Sequence, residues 1–250
     1  MPAAMKAIAN EVGANEFLVA GNGSFIYDIQ NEEVIYNNYI EKQKLLEIIK
    51  ICEENSIFYN IYTPDMILTK SINYNISFYN NENRRNSPDR KININVTEDV
   101  YSYVQNYRKN DFLKITICDS DKIIFYGIMN KLKKIKGIDV LDISHMSRKT
   151  IKLGTKEAEI AYFYTEITNK DINKWTALKY LIELLGIRQE ETIGIGDNIN
   201  DKELIENAGI GIAMENSCPE IKEVAKYVAS DNNLNGVAEA INKYINDCEM

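Results

Sequence analysis

Hydrophobic residues follow two different spacings along the chain, and each spacing predicts a different kind of element. Residues 41–54 place their apolar side chains at helical spacing, which is the pattern of an amphipathic helix. Residues 16–20 and 25–28 are short apolar runs on either side of Asn22-Gly23, a turn sequence typical of a β-hairpin. A short helix is expected at residues 3–12, before the hairpin, and further helices and strands are expected after it.

The middle of the chain mixes strands with helices and predicts a compact α+β unit. Its strands are expected at residues 57–62, 66–69, 112–118, 138–143 and 159–167, and its helices at 41–54, 100–107 and 122–135. Residues 74–90 are polar and rich in asparagine, and we expect a solvated loop there. The alternative for this segment is substrate recognition through its three arginines, Arg84, Arg85 and Arg90.

After residue 168 the pattern becomes a regular alternation of helices and strands. A helix is predicted from Asn173, a good N-terminal cap, to Gly186, a typical C-terminal stop. Buried strands are predicted at residues 192–195, 210–214 and 227–229, with helices between and after them. Such an alternation gives a parallel sheet that is covered by helices on both faces, so the predicted fold class is α/β.

Composition restricts the classes of function that the chain can have. The 250 residues are 45% hydrophobic and 26% charged, which is enough for one or two soluble domains with their own cores. The formal net charge of -8 disfavours a nucleic-acid-binding surface, whereas a local basic pocket for an anionic substrate is allowed. No apolar run reaches the roughly 18 residues of a membrane span, and the first residues lack the layout of a signal peptide. We therefore expect a cytoplasmic protein with no membrane or nucleic-acid partner.

Cysteine and histidine usage limits the chemistry further. The four cysteines are scattered without a Cys-x-x-Cys pair, so neither a zinc site nor a disulfide framework is indicated. His145 is the single histidine and lies in a strand-like segment, where we favour a structural role. Acid–base chemistry is then expected to depend on carboxylates and lysine.

A turn rich in carboxylate and amide groups follows the strand predicted at residues 192–195. Asp197 and Asp201 are four residues apart, with Asn198 and Asn200 between them. Ligands of parallel α/β sheets bind just beyond the carboxyl ends of the strands, and oxygen ligands of this kind are those that Mg²⁺ prefers. The alternative is an Asp- and Asn-rich turn that only caps the following helix.

A second acidic pair, Asp119 and Asp121, follows the strand predicted at residues 112–118. It could form a catalytic pair at a sheet edge, but a predicted helix begins directly after it. Short polar side chains at such a position usually accept hydrogen bonds from the first N–H groups of the helix. We therefore favour helix capping by Asp119 or Ser120.

Several segments occur in a fixed order through the last part of the chain. They are Asn173-Lys174, Gly196-Asp197-Asn198-Ile199-Asn200-Asp201, Ala208-Gly209-Ile210-Gly211-Ile212-Ala213-Met214-Glu215-Asn216, Pro219-Glu220-Ile221-Lys222 and Asn235-Gly236-Val237-Ala238. Together they resemble the haloacid dehalogenase (HAD) superfamily, and within it the Cof-type phosphatases of subfamily IIB. Near the start, the segment from Asn22 to Asp28 resembles the Asn-Gly segment that precedes the cap domain of that family.

The resemblance implies a Rossmann-like core with an inserted α+β cap. Residues 1–34 and 166–250 would form the core domain, and residues 35–165 would form the cap domain. Members of the family hydrolyse phosphate monoesters, often small sugar phosphates, with Mg²⁺ as cofactor and an aspartyl-phosphate as intermediate. The partner expected from the resemblance is accordingly a small phosphorylated metabolite.

The resemblance assigns roles to five residues. Lys174 matches the lysine that neutralises the nucleophile and the phosphate. Asp197 matches the carboxylate that binds Mg²⁺, and Asp201 matches the second acidic position, which is a metal ligand or a support behind it. Asn200 matches a polar neighbour of the phosphoryl group, and Asn22 lies in the segment assigned to substrate binding. A phosphoryl group in transfer carries spread negative charge, which a cation and a lysine stabilise.

The family pattern begins with an Asp-x-Asp-Gly-Thr strand whose first aspartate is the nucleophile, and this sequence has no such segment before Asn22. The resemblance therefore implies a parallel sheet that is incomplete on its N-terminal side, with an exposed core edge open to self-association. We expect a fragment of a phosphatase lineage with little or no turnover. The alternatives are a non-catalytic protein that binds a phosphometabolite or a partner, and a phosphosugar mutase or phosphotransferase.

Overall fold

The computed structural model describes residues 2–142, 146–153 and 156–244 of the chain. The chain divides into two compact units, Met1–Asp171 and Ile172–Met250. The assignment of residues 1–34 to a core domain that also includes residues 166–250 remains a prediction. His145 lies outside the described residues.

The first unit opens with a helix and a small antiparallel sheet. These elements are α1 (Pro2–Glu11), β1 (Phe17–Ala20), β2 (Phe25–Asp28) and β3 (Glu33–Asn37). β1 and β2 pair in antiparallel register as far as Ala20 and Phe25, which confirms the hairpin predicted at Asn22-Gly23. Asn22 has a φ of 59°, in the left-handed region that asparagine adopts more readily than most residues.

A larger sheet with helices follows in the described part of the first unit. Its strands are β4 (Phe58–Tyr62), β5 (Ile67–Thr69), β6 (Ile94–Val96), β7 (Lys114–Asp119), β8 (Ile138–Val140), β9 (Ser147–Leu153) and β10 (Lys156–Asn169), and its helices are α2 (Lys42–Glu54), α3 (Tyr74–Asn83), α4 (Val100–Asn106) and α5 (Lys122–Leu132). The strand order is β6-β5-β4-β7-β10-β8, and β9 pairs with β10. β5 and β6 run parallel, and the other neighbouring strands run antiparallel.

The main core of this unit joins three of the helices to the sheet. The predicted amphipathic helix is confirmed as α2, which buries one face formed by Leu45, Ile48, Ile49 and Cys52. α4 and α5 contribute the other helical side chains, and alternate residues of β4, β7 and β10 contribute those of the sheet. The buried residues include Leu45, Ile48, Ile49, Val104, Phe125, Leu132, Ile61, Ile115, Ile117 and Ile167.

The solvated loop predicted for residues 74–90 is wrong in its first part, where the chain forms α3. The apolar residues of α3 do not gather on one face, yet Ile76 and Asn81 are both buried. The side chain of Asn81 donates a hydrogen bond to the carbonyl oxygen of Lys152 in β9 (2.6 Å) and accepts one from its N–H group (3.3 Å). Contacts with a distant strand therefore stabilise a helix that the hydrophobic pattern does not predict.

The acidic segment at residues 119–121 caps α5. The carboxylate of Asp121 accepts hydrogen bonds from the N–H groups of Ile123 (2.8 Å) and Ile124 (3.0 Å). Asp119 in turn accepts a hydrogen bond from the N–H group of Asp121 at 2.8 Å. The predicted capping role is confirmed, although the capping residue is Asp121 and not Asp119 or Ser120.

The second unit is a three-stranded parallel sheet with helices, as the alternating pattern predicts. Its elements are α6 (Lys174–Leu185), β11 (Ile193–Gly196), α7 (Lys202–Asn207), β12 (Ile210–Met214), α8 (Pro219–Val224), β13 (Tyr227–Ala229) and α9 (Gly236–Tyr244). The strand order is β11-β12-β13, and both pairs are parallel. α6 begins after a capping box at Asn173 and ends at Gly186, as predicted. Within the described parts of the chain, no helix is both long and apolar enough to cross a membrane.

Candidate functional site

The turn that follows β11 is held together by one buried carboxylate. Oδ2 of Asp201 accepts hydrogen bonds from the backbone N–H groups of Asp197 and Asn198, each at 3.1 Å. The side chain of Asp201 is only 5% exposed, so its charge and its other oxygen need a partner within the protein. The turn thereby presents the exposed side chain of Asp197 at the carboxyl end of the strand.

Lys174 is the partner of the buried carboxylate. Asn173 caps α6 by accepting a hydrogen bond from the N–H group of Thr176 at 2.9 Å, and Lys174 is therefore the first residue of the helix. Nζ of Lys174 donates a hydrogen bond to Oδ1 of Asp201 and neutralises its charge. Because the side chain of Lys174 is still 35% exposed, its positive charge is also accessible to an anion from solvent.

Gly196, the last residue of β11, makes this packing possible. A Cβ atom at this position would lie 2.3 Å from Cβ of Asp201 and 2.4 Å from its Cγ, which is far inside van der Waals contact. β11 must therefore end in glycine for Asp201 to reach the backbone of the turn.

Asp197 accepts hydrogen bonds from two asparagines that follow the next two strands of the sheet. Nδ2 of Asn216 lies 3.2 Å from Oδ2 of Asp197, and Nδ2 of Asn232 lies 3.3 Å from the same oxygen. Neither asparagine is among the site residues predicted from the sequence. The available signal was their position, because each comes shortly after the carboxyl end of a predicted parallel strand, where ligands of such sheets bind.

Asn200 lies between the two acidic residues in the 3₁₀ turn Ile199–Asp201 and is half-buried there. The structure thus brings Lys174 and Asp201 into direct contact, with Asp197 and Asn200 in the same turn. Among the described residues, no group of three or more His, Cys, Asp or Glu side chains is arranged to hold a metal ion. Both oxygens of Asp201 accept hydrogen bonds, so Asp197 is the carboxylate of this turn that faces solvent.

Asn22 belongs to the first unit, where its side chain contacts a buried ion pair. Nδ2 of Asn22 donates a hydrogen bond to Oε2 of Glu166 at 2.5 Å, and Nζ of Lys114 lies 2.5 Å from Oε1 of the same carboxylate. Burial is the largest single influence on the pKa of Lys114 and lowers it. The carboxylate of Glu166, together with nearby Tyr79 and Tyr164, outweighs burial, so the pKa lies above its usual value. The role of Asn22 in substrate binding remains a prediction.

Comparison with known proteins relates this arrangement to a family of enzymes. Residues 1–241 match the family model described as haloacid dehalogenase-like hydrolase. Phosphatase YwpJ of Bacillus subtilis is 27% identical over 243 residues, which cover 92% of this chain and 80% of YwpJ. Because the family model matches residues 1–241, the match extends over both compact units.

Solved structures share the fold at lower identity. A haloacid dehalogenase-like hydrolase from B. subtilis has a TM-score of 0.75 at 20% identity, covering 97% of this chain and 84% of its own. The sugar phosphatase BT4131 of HAD subclass IIB has a TM-score of 0.68 at 17% identity, covering 95% of this chain and 79% of its own. The predicted α/β fold class is confirmed.

Proposed function

Because the chain belongs to the haloacid dehalogenase-like hydrolases, we propose that its second unit carries the metal- and phosphate-binding part of a Cof-type, Mg²⁺-dependent phosphatase site. The substrates that we propose are small phosphorylated metabolites, with sugar phosphates first among them. The observation that carries this proposal is the ion pair of Lys174 with the buried Asp201, directly behind the exposed carboxylate of Asp197.

The residues of the turn fit Mg²⁺ by the chemistry of their donors. Mg²⁺ is usually held by one or two carboxylates together with water and substrate phosphate oxygens. Asp197 offers one such carboxylate toward solvent, at the sheet edge where ligands of α/β proteins bind. When bound there, the ion supplies positive charge to the oxygens of the phosphoryl group.

Lys174 and Asp201 have separate tasks in this proposal. Lys174 is held at the start of α6 by its ion pair and stabilises the negative charge of a phosphoryl group. Asp201 fixes the backbone of the turn and orients Lys174, because both of its oxygens already accept hydrogen bonds. The resemblance allows Asp201 to be either a metal ligand or a residue that supports the metal ligand from behind. This geometry supports the second role. Asn200 is proposed as a polar neighbour of the phosphate.

The nucleophile is the part of the chemistry that these residues do not supply. In the family pattern it is the first aspartate of an Asp-x-Asp-Gly-Thr segment, and the sequence contains no such segment. Formation of an aspartyl-phosphate needs a carboxylate placed for in-line attack on phosphorus. We therefore propose that a polypeptide of this sequence, by itself, binds Mg²⁺ and phosphorylated ligands but releases little or no phosphate.

The test measures binding and turnover on the same protein. Isothermal titration calorimetry with MgCl₂ should show binding that is lost in Asp197→Asn, and phosphate release from a panel of sugar phosphates should stay near background with or without Mg²⁺. Phosphate release that requires Mg²⁺ and disappears in Asp197→Asn would show that another carboxylate is the nucleophile. Absence of Mg²⁺ binding would contradict the proposed site itself.

A second candidate is a protein whose function is to bind a phosphometabolite without converting it. The observation in its favour is the positive charge of Lys174, whose side chain stays 35% exposed beside the buried Asp201 and can attract an anionic ligand. The same panel separates the two functions. A sugar phosphate that binds specifically, survives prolonged incubation and loses affinity in Lys174→Met would favour the binding protein.

A further inference from the structure

The loops that follow three adjacent parallel strands bring together one carboxylate and two side-chain amides. Asp197 follows β11, Asn216 follows β12 and Asn232 follows β13. The two asparagine amides converge on Oδ2 of Asp197, at 3.2 and 3.3 Å. Because the strands are parallel and adjacent in the sheet, residues far apart in the sequence meet at its carboxyl edge.

The orientation of both amides follows from the groups around them. Oδ1 of Asn216 accepts a hydrogen bond from the backbone N–H group of Asn232 at 3.0 Å, and a backbone N–H group can only donate. The NH₂ group of Asn216 must therefore face Asp197. An ionised carboxylate can only accept, so Asn232 must also present its NH₂ group to Asp197, while its Oδ1 accepts from Asn233 at 2.8 Å.

The two turns that carry these asparagines are themselves held in place. The N–H group of Ser217 donates to the carbonyl oxygen of Met214 at 2.9 Å, which closes the turn around Asn216. Asp231 accepts hydrogen bonds from both N and Nδ2 of Asn233, at 2.8 and 2.9 Å, and this fixes the residue next to Asn232. Both donor side chains therefore extend from turns that hydrogen bonds hold in place.

We propose that Asn216 and Asn232 are positioning residues that orient the carboxylate of Asp197 for Mg²⁺, an inference that rests on the proposed function. Two donors on one carboxylate oxygen restrict rotation of the side chain before a cation arrives. Hydrogen bonds behind a metal ligand tune its orientation, and their loss typically lowers metal affinity about 10–100-fold. Asn216 and Asn232 act only through Asp197, so the proposal gives them no direct contact with substrate.

The experiment compares Mg²⁺ binding by the full chain, by Asn216→Ala and by Asn232→Ala, using calorimetry with MgCl₂. Each variant should bind about 10-fold more weakly than the wild type. Ser217→Ala is the matched control, because it lies in the same turn and its buried Oγ has no hydrogen-bond partner within the described residues. Its Mg²⁺ affinity should equal that of the wild type. Thermal unfolding without metal checks that each variant is folded.

A spectroscopic readout separates positioning from simple support of the loops. The side-chain NH₂ resonances of Asn216 and Asn232 in ¹H–¹⁵N spectra should shift when MgCl₂ is added to the wild type, and should not shift in Asp197→Asn. Wild-type affinity in both folded asparagine variants would overturn the inference and leave the proposed function intact. Absence of Mg²⁺ binding by the wild type would overturn both.

Discussion

Nζ of Lys174 and Oδ1 of Asp201 form an ion pair that joins the first residue of a helix to the buried carboxylate of a turn. The other oxygen of that carboxylate accepts two backbone N–H groups. Asp201 therefore faces only donors, and the same residue fixes the shape of the turn and the position of the lysine. The stability of the second unit and the phosphate binding that we propose for it are consequently coupled at Asp201.

Asp201→Asn should destabilise the protein by about 2 kcal/mol, because the amide would turn its NH₂ group toward either Lys174 or the backbone donors. The contribution of Lys174 itself is reduced by solvent, since its side chain is 35% exposed. Urea-induced unfolding measures the change. Glu223→Gln, at an exposed position of α8, is the matched control and should stay within about 0.5 kcal/mol of the wild type. Equal stability of Asp201→Asn and the control would contradict the role of Asp201 in the turn.

Gly196→Ala should displace Asp201, since the new Cβ atom would lie 2.3 Å from Cβ of that residue. We expect a loss of stability of about 1–3 kcal/mol together with weaker Mg²⁺ binding. Gly127→Ala in α5 is the control, because a Cβ atom there meets nothing within 4 Å. Alanine in the interior of a helix should raise stability by about 0.5–1 kcal/mol. The two substitutions add the same methyl group and should have opposite signs in urea-induced unfolding.

Glu166→Gln should destabilise the first unit by about 3–5 kcal/mol, because it leaves the charge of Lys114 buried without its partner. The two side chains are only 12% and 16% exposed, so water does little to replace the lost interaction. Removing both charges with Lys114→Met and Glu166→Leu should cost less than Glu166→Gln alone. Thermal unfolding of the wild type and of these two variants tests this order. A double variant that is less stable than the single one would show that the charges themselves stabilise the fold.

Glu239→Gln should change how stability depends on acid pH. Hydrogen bonds from Ser230, and then from the hydroxyl group of Tyr227, hold the pKa of Glu239 below its ordinary value of 4.5. A carboxyl group whose pKa is lowered by folding stabilises the protein above pH 4.5, and that contribution is lost as the pH falls through the lower, folded value. The unfolding midpoint of Glu239→Gln should therefore fall less steeply in acid than that of the wild type. Glu206→Gln, an exposed site on α7, should keep the wild-type slope.

The second unit could be predicted from the sequence because its signals are local. Asn173 and Gly186 mark the two ends of α6, and the Gly-Asp turn follows a short apolar run. In the first unit, α3 and β9 were missed because neither has a continuous apolar face. Tertiary contacts hold both elements in place, among them the hydrogen bonds of Asn81 with Lys152.

The candidate site was predictable only in part, for a related reason. Lys174, Asp197 and Asp201 lie in segments that the resemblance covers, and the structure places Lys174 and Asp201 in contact. Asn216 and Asn232 meet Asp197 only because three parallel strands end at one edge. The spacing of residues along the chain does not show which residues of neighbouring strands lie side by side. This register arises when β12 and β13 align beside β11.

Asn81 also bears on the edge of the sheet in the first unit. β9 pairs with β10 along one side, and on its other side the amide of Asn81 satisfies both the N–H and the C=O group of Lys152. An open strand edge offers such groups to any extended chain and invites growth into aggregates. The side-chain amide of Asn81 makes the two hydrogen bonds that a neighbouring strand would otherwise make with Lys152. A second chain therefore cannot pair with β9 at this residue. A buried amide outside the proposed metal site thus protects part of the β9 edge from pairing with a second chain.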